Sequence, residues 1–355
     1  MTKFNGVTVI EPMHSNAGGF LYVLNTISKF YSSRGMVVIA LQNPNTFAAS
    51  KKADATRYTA LEMKDWTQFW GAVSQLGALV KSDASPIPAA TRRLYMTGYS
   101  QTGMLTATFA NFYHNQTRHP DGRPIYDGYL PHGNNFYIQP LDVPVIRVNS
   151  QGDFNYFTNP SYNPYARAPD SNDPWNRTRR YEVAGAIHAP LPVAEAGAAI
   201  PPVQRTELLQ CFKDQYPADA KQHDMTFFRP VYEIALVHME EWITANIPPP
   251  RAPWIEIAKN TSYAETDEHG NAVGGLRMPD ILLPVAKYDV GEKACRLGGY
   301  MIPFATEKLR NLYGGKANYL KLYDRAADTL VDQRWMLRES AEQLKQHVRK
   351  SVPEF

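Results

Sequence analysis

The sequence contains few cysteines and no long apolar run. Its 355 residues include two cysteines, Cys211 and Cys295. They allow at most one disulfide, whose formation stays open, and they exclude a cysteine zinc cluster and a C-x-x-C redox pair. No stretch approaches the roughly 18 consecutive apolar residues of a membrane span, and residues 1–6 lack the apolar core of a signal peptide. We therefore expect no membrane partner; the compartment stays open, with the cytoplasm favoured.

The sequence also has no excess of charge of one sign. Lys and Arg total 37 against 34 Asp and Glu, a formal net charge of +3. Nucleic-acid binding requires a basic patch or stripe, so no nucleic-acid partner is expected. Repeats and low-complexity segments are absent, and a hydrophobic content of 44% is typical of a globular chain. The length fits one large or two ordinary domains, and the oligomeric state stays unknown.

Residues 7–190 alternate short β-branched runs with longer helical stretches, which is typical of an α/β protein with a mostly parallel sheet. Strands are predicted over 7–10, 36–41, 93–97, 125–130, 143–148 and 180–184. Helices are predicted over 21–33, 55–81, 102–114, 230–246, 305–312 and 326–348. Residues 191–355 are too many for a terminal helix. We expect them to form a cap or wrapping lobe, although a second independent domain is possible.

One serine lies between a predicted strand and a predicted helix. Residues 98–103 read G-x-S-x-T-G, with Ser100 at the centre and Thr102 where a second glycine is usual. In the related G-x-S-x-G nucleophile elbow, the serine occupies a strained turn at the edge of the sheet. Ser100 is therefore predicted to be a nucleophile. The alternative is an ordinary strand-to-helix loop with a helix-capping serine.

A nucleophilic serine needs a histidine base and an orienting carboxylate, and both follow in the chain. Asp153 comes just after the predicted strand 143–148, and His188 just after 180–184. Because parallel strands share one carboxyl edge, we expect both residues beside Ser100. Asp170 and Asp173 lie in the same connection and are alternative acids. His188 is alternatively an ordinary loop histidine, and Asp153 a turn residue.

Acyl transfer also requires hydrogen-bond donors for the oxyanion. The Gln101 amide follows the serine, and the amide of His14 or Met13 is predicted as the second donor, with the His14 imidazole lining the pocket. An ordinary glycine-rich turn is the alternative for this loop. Tyr99 and Phe154 adjoin the predicted triad and are expected to shape the substrate pocket. No cofactor and no metal are predicted, since neither a dinucleotide fingerprint nor an EF-hand spacing is present.

With a serine, an aspartate and a histidine in this order, the chain resembles the α/β-hydrolase superfamily. It is most similar to the esterase-like "alpha/beta hydrolase domain" family with a long C-terminal extension. The resemblance rests on seven blocks, at residues 10–14, 98–103, 126–130, 167–171, 181–188, 267–279 and 295–299. It implies a serine hydrolase fold with nucleophile Ser100, base His188 and acid Asp153. It also implies a single domain of residues 1–355, with 1–190 carrying the triad and 191–355 integral to it.

Members of this family usually have further strands before the one that ends at Met13. The resemblance therefore implies that the first strands of the usual sheet are missing, and that strand 36–41 lies at a sheet edge. The residue before the acid, a glutamate in the family, is Gly152 here.

Together these residues predict hydrolysis of a small-molecule carboxylic ester through an acyl-enzyme, with an uncharged or aromatic substrate. One alternative keeps the fold and changes the reaction to acyl transfer, thioester or amide hydrolysis, or a lyase reaction. The other is a catalytically silent binding protein with a hydrolase fold.

Overall fold

The computed structural model describes residues 3–15, 20–87, 89–153, 167–188, 219–261, 263–290 and 298–355. Cys211, Cys295 and Phe154 lie outside the described residues. In chain order the first elements are β1 (Val7–Pro12), α1 (Tyr22–Ser33), β2 (Val37–Leu41), α2 (Pro44–Ala53), α3 (Ala55–Tyr58), α4 (Trp66–Val80), β3 (Arg93–Tyr99), α5 (Gln101–Phe112), β4 (Gly128–His132), β5 (Val145–Ser150), β6 (Ser171–Asp173) and β7 (Asn176–Val183). They are followed by β8 (Lys221–Gln222), α6 (Arg229–Thr244), α7 (Pro279–Leu282), β9 (Ala286–Asp289), β10 (Tyr300–Pro303), α8 (Thr306–Tyr313), α9 (Lys316–Asp332) and α10 (Arg338–Ser351).

Seven strands form the main sheet in the order β2-β1-β3-β4-β5-β7-β6. β1 pairs in parallel with β2 and β3, β3 with β4, and β4 with β5, whereas β6 and β7 are antiparallel. β1, β4 and β5 are buried along their whole length, as parallel strands covered on both faces are. The predicted α/β-hydrolase fold, with a mostly parallel sheet and flanking helices, is confirmed. The half-buried β2 lies at one edge, as expected for strand 36–41.

A second, antiparallel sheet in the order β8-β10-β9 was not predicted. Its strands are only two to four residues long. They are too short to give a reliable period-two alternation in the sequence. The C-terminal half is therefore a mixture of short strands and helices.

The chain divides into two compact units. Unit 1 comprises Met1–Arg147, Ala168–Arg179 and Trp242–Asn246, and unit 2 comprises Val148–Arg167, Arg180–Glu241 and Ile247–Phe355. Unit 1 contains a core of fully buried side chains from β1, α4, β3 and α5, among them Ile10, Phe69, Val73, Leu94, Met96 and Phe109. In unit 2 the buried side chains come mostly from β7 and the C-terminal half, among them Tyr181, Val231, Met239, Met278, Ile281 and Leu344. The single domain of residues 1–355 stays a prediction.

The helix predicted over 55–81 is wrong as one element, because α3 ends at Tyr58 and α4 begins at Trp66. Asp65 starts the second helix: its side chain accepts a hydrogen bond from the Gln68 amide at 3.0 Å. An aspartate in this N-cap position satisfies one of the first amides of a helix, which have no acceptor within the helix.

The helix predicted over 326–348 is also interrupted. α9 ends at Asp332 and α10 begins at Arg338. Arg334 adopts a left-handed φ of 64°, and the Trp335 amide turns back to the Leu330 carbonyl at 2.7 Å. A left-handed residue of this kind closes the carboxyl end of a helix. Because it is an arginine rather than a glycine, the sequence carries no local stop signal there.

Candidate active site

Ser100 occupies the sharp turn between β3 and α5. Its φ of 56° and ψ of −120° lie outside the regions that residues with side chains ordinarily adopt. Its amide donates to the His132 carbonyl at the end of β4 at 3.1 Å, and its carbonyl accepts from the Met104 amide at 2.9 Å. Its side chain does not cap α5, and the backbone angles are not those of a capping residue. The strained turn is the backbone feature of a nucleophile elbow.

Two glycines permit this turn. A Cβ on Gly98 would lie 2.4 Å from the Thr102 carbonyl carbon and oxygen, and a Cβ on Gly103 would lie 2.2 Å from the His132 carbonyl oxygen. Real Cβ atoms do not approach backbone atoms that closely, so both positions require glycine. The motif therefore has its second glycine where α5 meets the end of β4.

Thr102 explains why the usual glycine position is occupied by another residue. Its hydroxyl accepts from the Tyr99 amide at 2.8 Å and donates to the Tyr99 carbonyl at 3.0 Å. The side chain is 1% exposed. Thr102 therefore satisfies both backbone groups at the end of β3, just before the serine.

Asp153 and His188 are hydrogen-bonded to each other within unit 2. The Asp153 Oδ1 atom faces His188 Nδ1, and Asp153 Oδ2 accepts from the Ser150 amide at 2.5 Å. The carboxylate is fully buried, and His188 is 4% exposed. Hydrogen bonding at Nδ1 fixes the orientation of an imidazole and supports a base that works through Nε2.

The two alternative acids have other contacts, and both belong to unit 1. The Asp170 carboxylate lies 3.9 Å from the Arg179 guanidinium. The Asp173 side chain accepts from the Trp175 amide at 2.8 Å in the β6–β7 hairpin. Of the three carboxylates, Asp153 is the one that the structure pairs with His188.

The chain around Asp153 is packed tightly against the turn that carries His188. A Cβ on Gly152 would lie 2.7 Å from the His188 amide nitrogen. The Gly152 amide donates to the Ala186 carbonyl at 2.9 Å, and the Gln151 side chain accepts from the Gly185 amide at 2.8 Å. A larger residue before Asp153 would separate these segments, so this position requires glycine.

Residues from the C-terminal half hold the same turn. The Ile187 amide donates to the Met225 thioether sulfur at 3.5 Å. A Cβ on Gly299 would lie 2.3 Å from an Ile187 methyl carbon, and one on Gly185, whose φ is 71°, would lie 2.3 Å from the Ile281 side chain. These supports were not predicted and have no local signal in the sequence, since glycines and apolar residues occur throughout the chain.

The segment 13–15, which follows β1, contains the predicted second oxyanion donors. The Met13 amide donates to the Leu41 carbonyl at 2.8 Å and the His14 amide to the Phe20 carbonyl at 2.9 Å. A role for either amide therefore requires that it exchange its present bond for one to the substrate. The Gln101 amide differs, because the first amides of a helix have no acceptor within the helix.

Of the two predicted pocket residues, only Tyr99 is described, and Phe154 lies outside the described residues. The Tyr99 ring is 2% exposed and stacks on Tyr22, with ring centroids 4.0 Å apart. A Cβ on Gly133 would lie 2.4 Å from the same ring. The Tyr99 ring is thus buried beneath the elbow and is not exposed to solvent, and Tyr22 is the more exposed of the stacked pair.

Two buried ionisable groups lie at strand ends in unit 1. Burial lowers the pKa of His132, at the end of β4, to about 3, so that its imidazole is neutral at physiological pH. Burial raises the pKa of Glu11 to about 7, although its carboxylate accepts from the Val23 and Leu24 amides at 2.8 Å each. Sequence reasoning missed both residues. Glu11 ties the end of β1 to the first turn of α1.

Within the described ranges, no group of three or more His, Cys, Asp or Glu side chains is arranged to hold a metal ion. Among the helices of the same ranges, none combines the length and the apolar character that crossing a membrane requires.

Comparison with known proteins adds the family. No curated protein matches the chain significantly. The family described as alpha/beta hydrolase domain matches residues 1–346, which is nearly the whole chain and includes Ser100, Asp153 and His188. The chain belongs to the alpha/beta hydrolase domain family.

Proposed function

We propose that the protein is a serine hydrolase that cleaves a carboxylic ester through Ser100, His188 and Asp153. The observation that carries the proposal is the backbone of Ser100, a non-glycine residue held at φ 56° and ψ −120° between a strand and a helix. Such strain is retained where function requires it. The buried Asp153–His188 pair and the family membership support the same reaction.

In the proposed mechanism the Ser100 Oγ atom attacks the ester carbonyl carbon while His188 accepts the hydroxyl proton. The alcohol leaves with that proton, and an acyl-serine remains. Water then attacks the acyl-serine and gives a proton to His188; His188 returns that proton to Ser100 Oγ as the carbon–oxygen bond to the serine breaks and the carboxylic acid leaves. Asp153 orients the imidazole and stabilises its charged form. The Gln101 amide donates to the oxyanion, and an amide of His14 or Met13 is the proposed second donor.

The test is reaction with p-nitrophenyl acetate and with a fluorophosphonate. We expect a burst of p-nitrophenol equal to the enzyme concentration, and a covalent adduct on the peptide that contains Ser100. Ser100→Ala should lose both. Ser32→Ala is a matched control, because the Ser32 hydroxyl bonds only its own helix on an exposed surface. Full activity in Ser100→Ala would overturn the proposal.

Two further outcomes distinguish the alternative reactions. One outcome would indicate acyl transfer: the fluorophosphonate labels Ser100, and an ester product forms only when an acceptor alcohol is present. Failure of the fluorophosphonate to label folded protein would indicate a binding protein with a hydrolase fold.

A further inference from the structure

Two carboxamide side chains of unit 1 hold the segment 13–15. The Asn43 Nδ2 group donates to the Met13 carbonyl at 2.5 Å, and the Ser15 hydroxyl donates to Asn43 Oδ1 at 3.0 Å. The Ser15 amide in turn donates to Gln101 Oε1 at 2.8 Å. These bonds form a continuous connection from Asn43, which is fully buried, to the residue directly after Ser100.

Helix capping does not account for the identity of Asn43. Its Oδ1 atom accepts from the Asn45 and Thr46 amides at 3.1 and 3.2 Å, so it caps α2, and Thr46 completes the capping box. Aspartate in this position would cap the helix equally well. An aspartate carboxylate has no hydrogen to donate, whereas the carboxamide of asparagine donates to the Met13 carbonyl. Asn43 therefore has a second role, directed at the segment 13–15.

The Gln101 side chain has a determined orientation. A backbone N–H is a donor only, so the carboxamide must present its oxygen to Ser15. Gln101 is also the first residue of α5, and its own amide is the proposed oxyanion donor. The contact with Ser15 thus anchors the residue that carries this donor to a segment outside its helix.

We propose that Asn43 and the Gln101 side chain are positioning residues, which act through the segment 13–15 to fix the Gln101 amide during both acylation and deacylation of Ser100. This inference rests on the proposed function. Donors stabilise an oxyanion only within a narrow range of distance, so a small displacement of Gln101 weakens the transition state more than it weakens substrate binding. Asn43 contacts neither substrate nor reacting atoms in this role.

The test is a double-mutant cycle with Asn43→Asp and Gln101→Met. The aspartate keeps the helix cap and loses the donor to Met13; the methionine keeps the length of the side chain and loses the acceptor for Ser15. Each variant should lower kcat for p-nitrophenyl acetate about 10-fold and leave KM within about twofold, because a fixed donor acts in the transition state. The kcat of the double variant should be within about threefold of that of the less active single variant, since both residues act through one segment.

Thr46→Val is the matched control. It removes the bond from the Asn43 amide to the Thr46 hydroxyl at 2.9 Å and leaves the contacts to Met13 and Ser15 in place. We expect a lower midpoint in urea with an unchanged kcat. Gln101→Met, at a half-exposed position, keeps the test available if Asn43→Asp does not fold.

The inference is overturned if Thr46→Val lowers kcat as much as Asn43→Asp does, or if the double variant loses about 100-fold through independent effects. It is also overturned, with the proposed function intact, if wild type and both single variants acylate Ser100 at the same rate. A wild-type protein in which fluorophosphonate does not react with Ser100 overturns the proposed function itself.

Discussion

The two parts of the proposed triad are held in different ways. In unit 1 the turn at Ser100 is fixed by residues within four positions of it and by the end of the neighbouring strand β4. In unit 2 the turn at His188 is fixed by residues far along the chain, among them Met225, Ile281 and Gly299. The strained turn at Ser100 is thus held by local contacts, whereas the position of His188 depends on contacts from the C-terminal half. Substitutions in the two regions should therefore have different consequences.

The largest effect is expected for Asp153→Asn. The change removes the charge that orients His188 and leaves the turn at Ser100 unaltered, so kcat should fall about 10³- to 10⁴-fold. Steady-state kinetics and fluorophosphonate labelling measure the loss. Asp173→Asn is the control, since Asp173 only accepts the Trp175 amide in a hairpin, and its kcat should stay within about twofold. A larger loss in Asp173→Asn than in Asp153→Asn would exclude Asp153 as the acid.

Gly103→Ala should disrupt the other region through its backbone. The added methyl group would lie 2.2 Å from the His132 carbonyl oxygen, which cannot move without breaking its bond to the Ser100 amide. We expect a loss of about 3 kcal/mol or more in the free energy of unfolding, measured in urea. Gly71→Ala in α4 would bring its new methyl group near only the Gln75 side chain, at 4.0 Å, and should be neutral or stabilise by up to about 1 kcal/mol. Equal stability of the two variants would contradict the close approach of α5 to β4.

Acidification should destabilise both units through one buried histidine in each. Burial lowers the pKa of His132 to about 3 and that of His223 to about 4, so both stay neutral in the folded protein while the unfolded chain binds protons below about pH 6.5. Stability therefore rises with pH between these values, and each histidine should lower it by up to about 2 kcal/mol at pH 5. Urea unfolding at pH 7.5 and 5.0 measures the difference. The difference in the free energy of unfolding between the two pH values should be smaller in His132→Gln and in His223→Gln. If it is unchanged in both variants, the buried histidines are not its cause.

Met225→Leu should have the smallest effect. Leucine fills a similar volume but cannot accept the hydrogen bond from the Ile187 amide, so stability should fall by about 1 kcal/mol. Because Ile187 precedes His188, we expect kcat, measured by steady-state kinetics, to fall about two- to fivefold. Met336→Leu, at a buried methionine elsewhere in unit 2, is the control for loss of a thioether. Equal effects of the two variants on kcat would contradict a specific role of Met225.

The difference between local contacts at Ser100 and distant contacts at His188 also explains how much of the fold and the site could be predicted from the sequence. The α/β fold and the elbow depend on local patterns: β-branched runs, and a serine between two glycines. The edge position of β2 was expected from the family resemblance instead. Asp153 and His188 could be placed after strands, and the structure pairs them. Two other features depend on individual capping and loop contacts. One is the interruption of the predicted helices at Asp65 and Arg334, and the other is the hydrogen bonding of the Met13 and His14 amides to backbone carbonyls. Hydrophobic periodicity carries no information on such contacts.

Other supports could not be predicted because they join distant residues. To predict that Gly152 packs against the His188 amide, and Gly299 against Ile187, one must know which segments of the chain meet. A single sequence does not contain this information in a local pattern. Thr102 is an intermediate case, since a threonine after a strained turn suggests a hydroxyl that bonds the backbone.

The contact between Ile187 and Gly299 has a consequence for biosynthesis. The turn at Ser100 can form once β4 has left the ribosome, because the groups that hold it are present by residue 132. The turn at His188 lacks its partner until residue 299 has left the exit tunnel, more than a hundred residues later. Since proteins acquire structure during synthesis from the N-terminus onward, we expect the growing chain to form the turn at the proposed nucleophile well before the turn at the proposed base. Acyl transfer to the serine should therefore begin only near the end of translation.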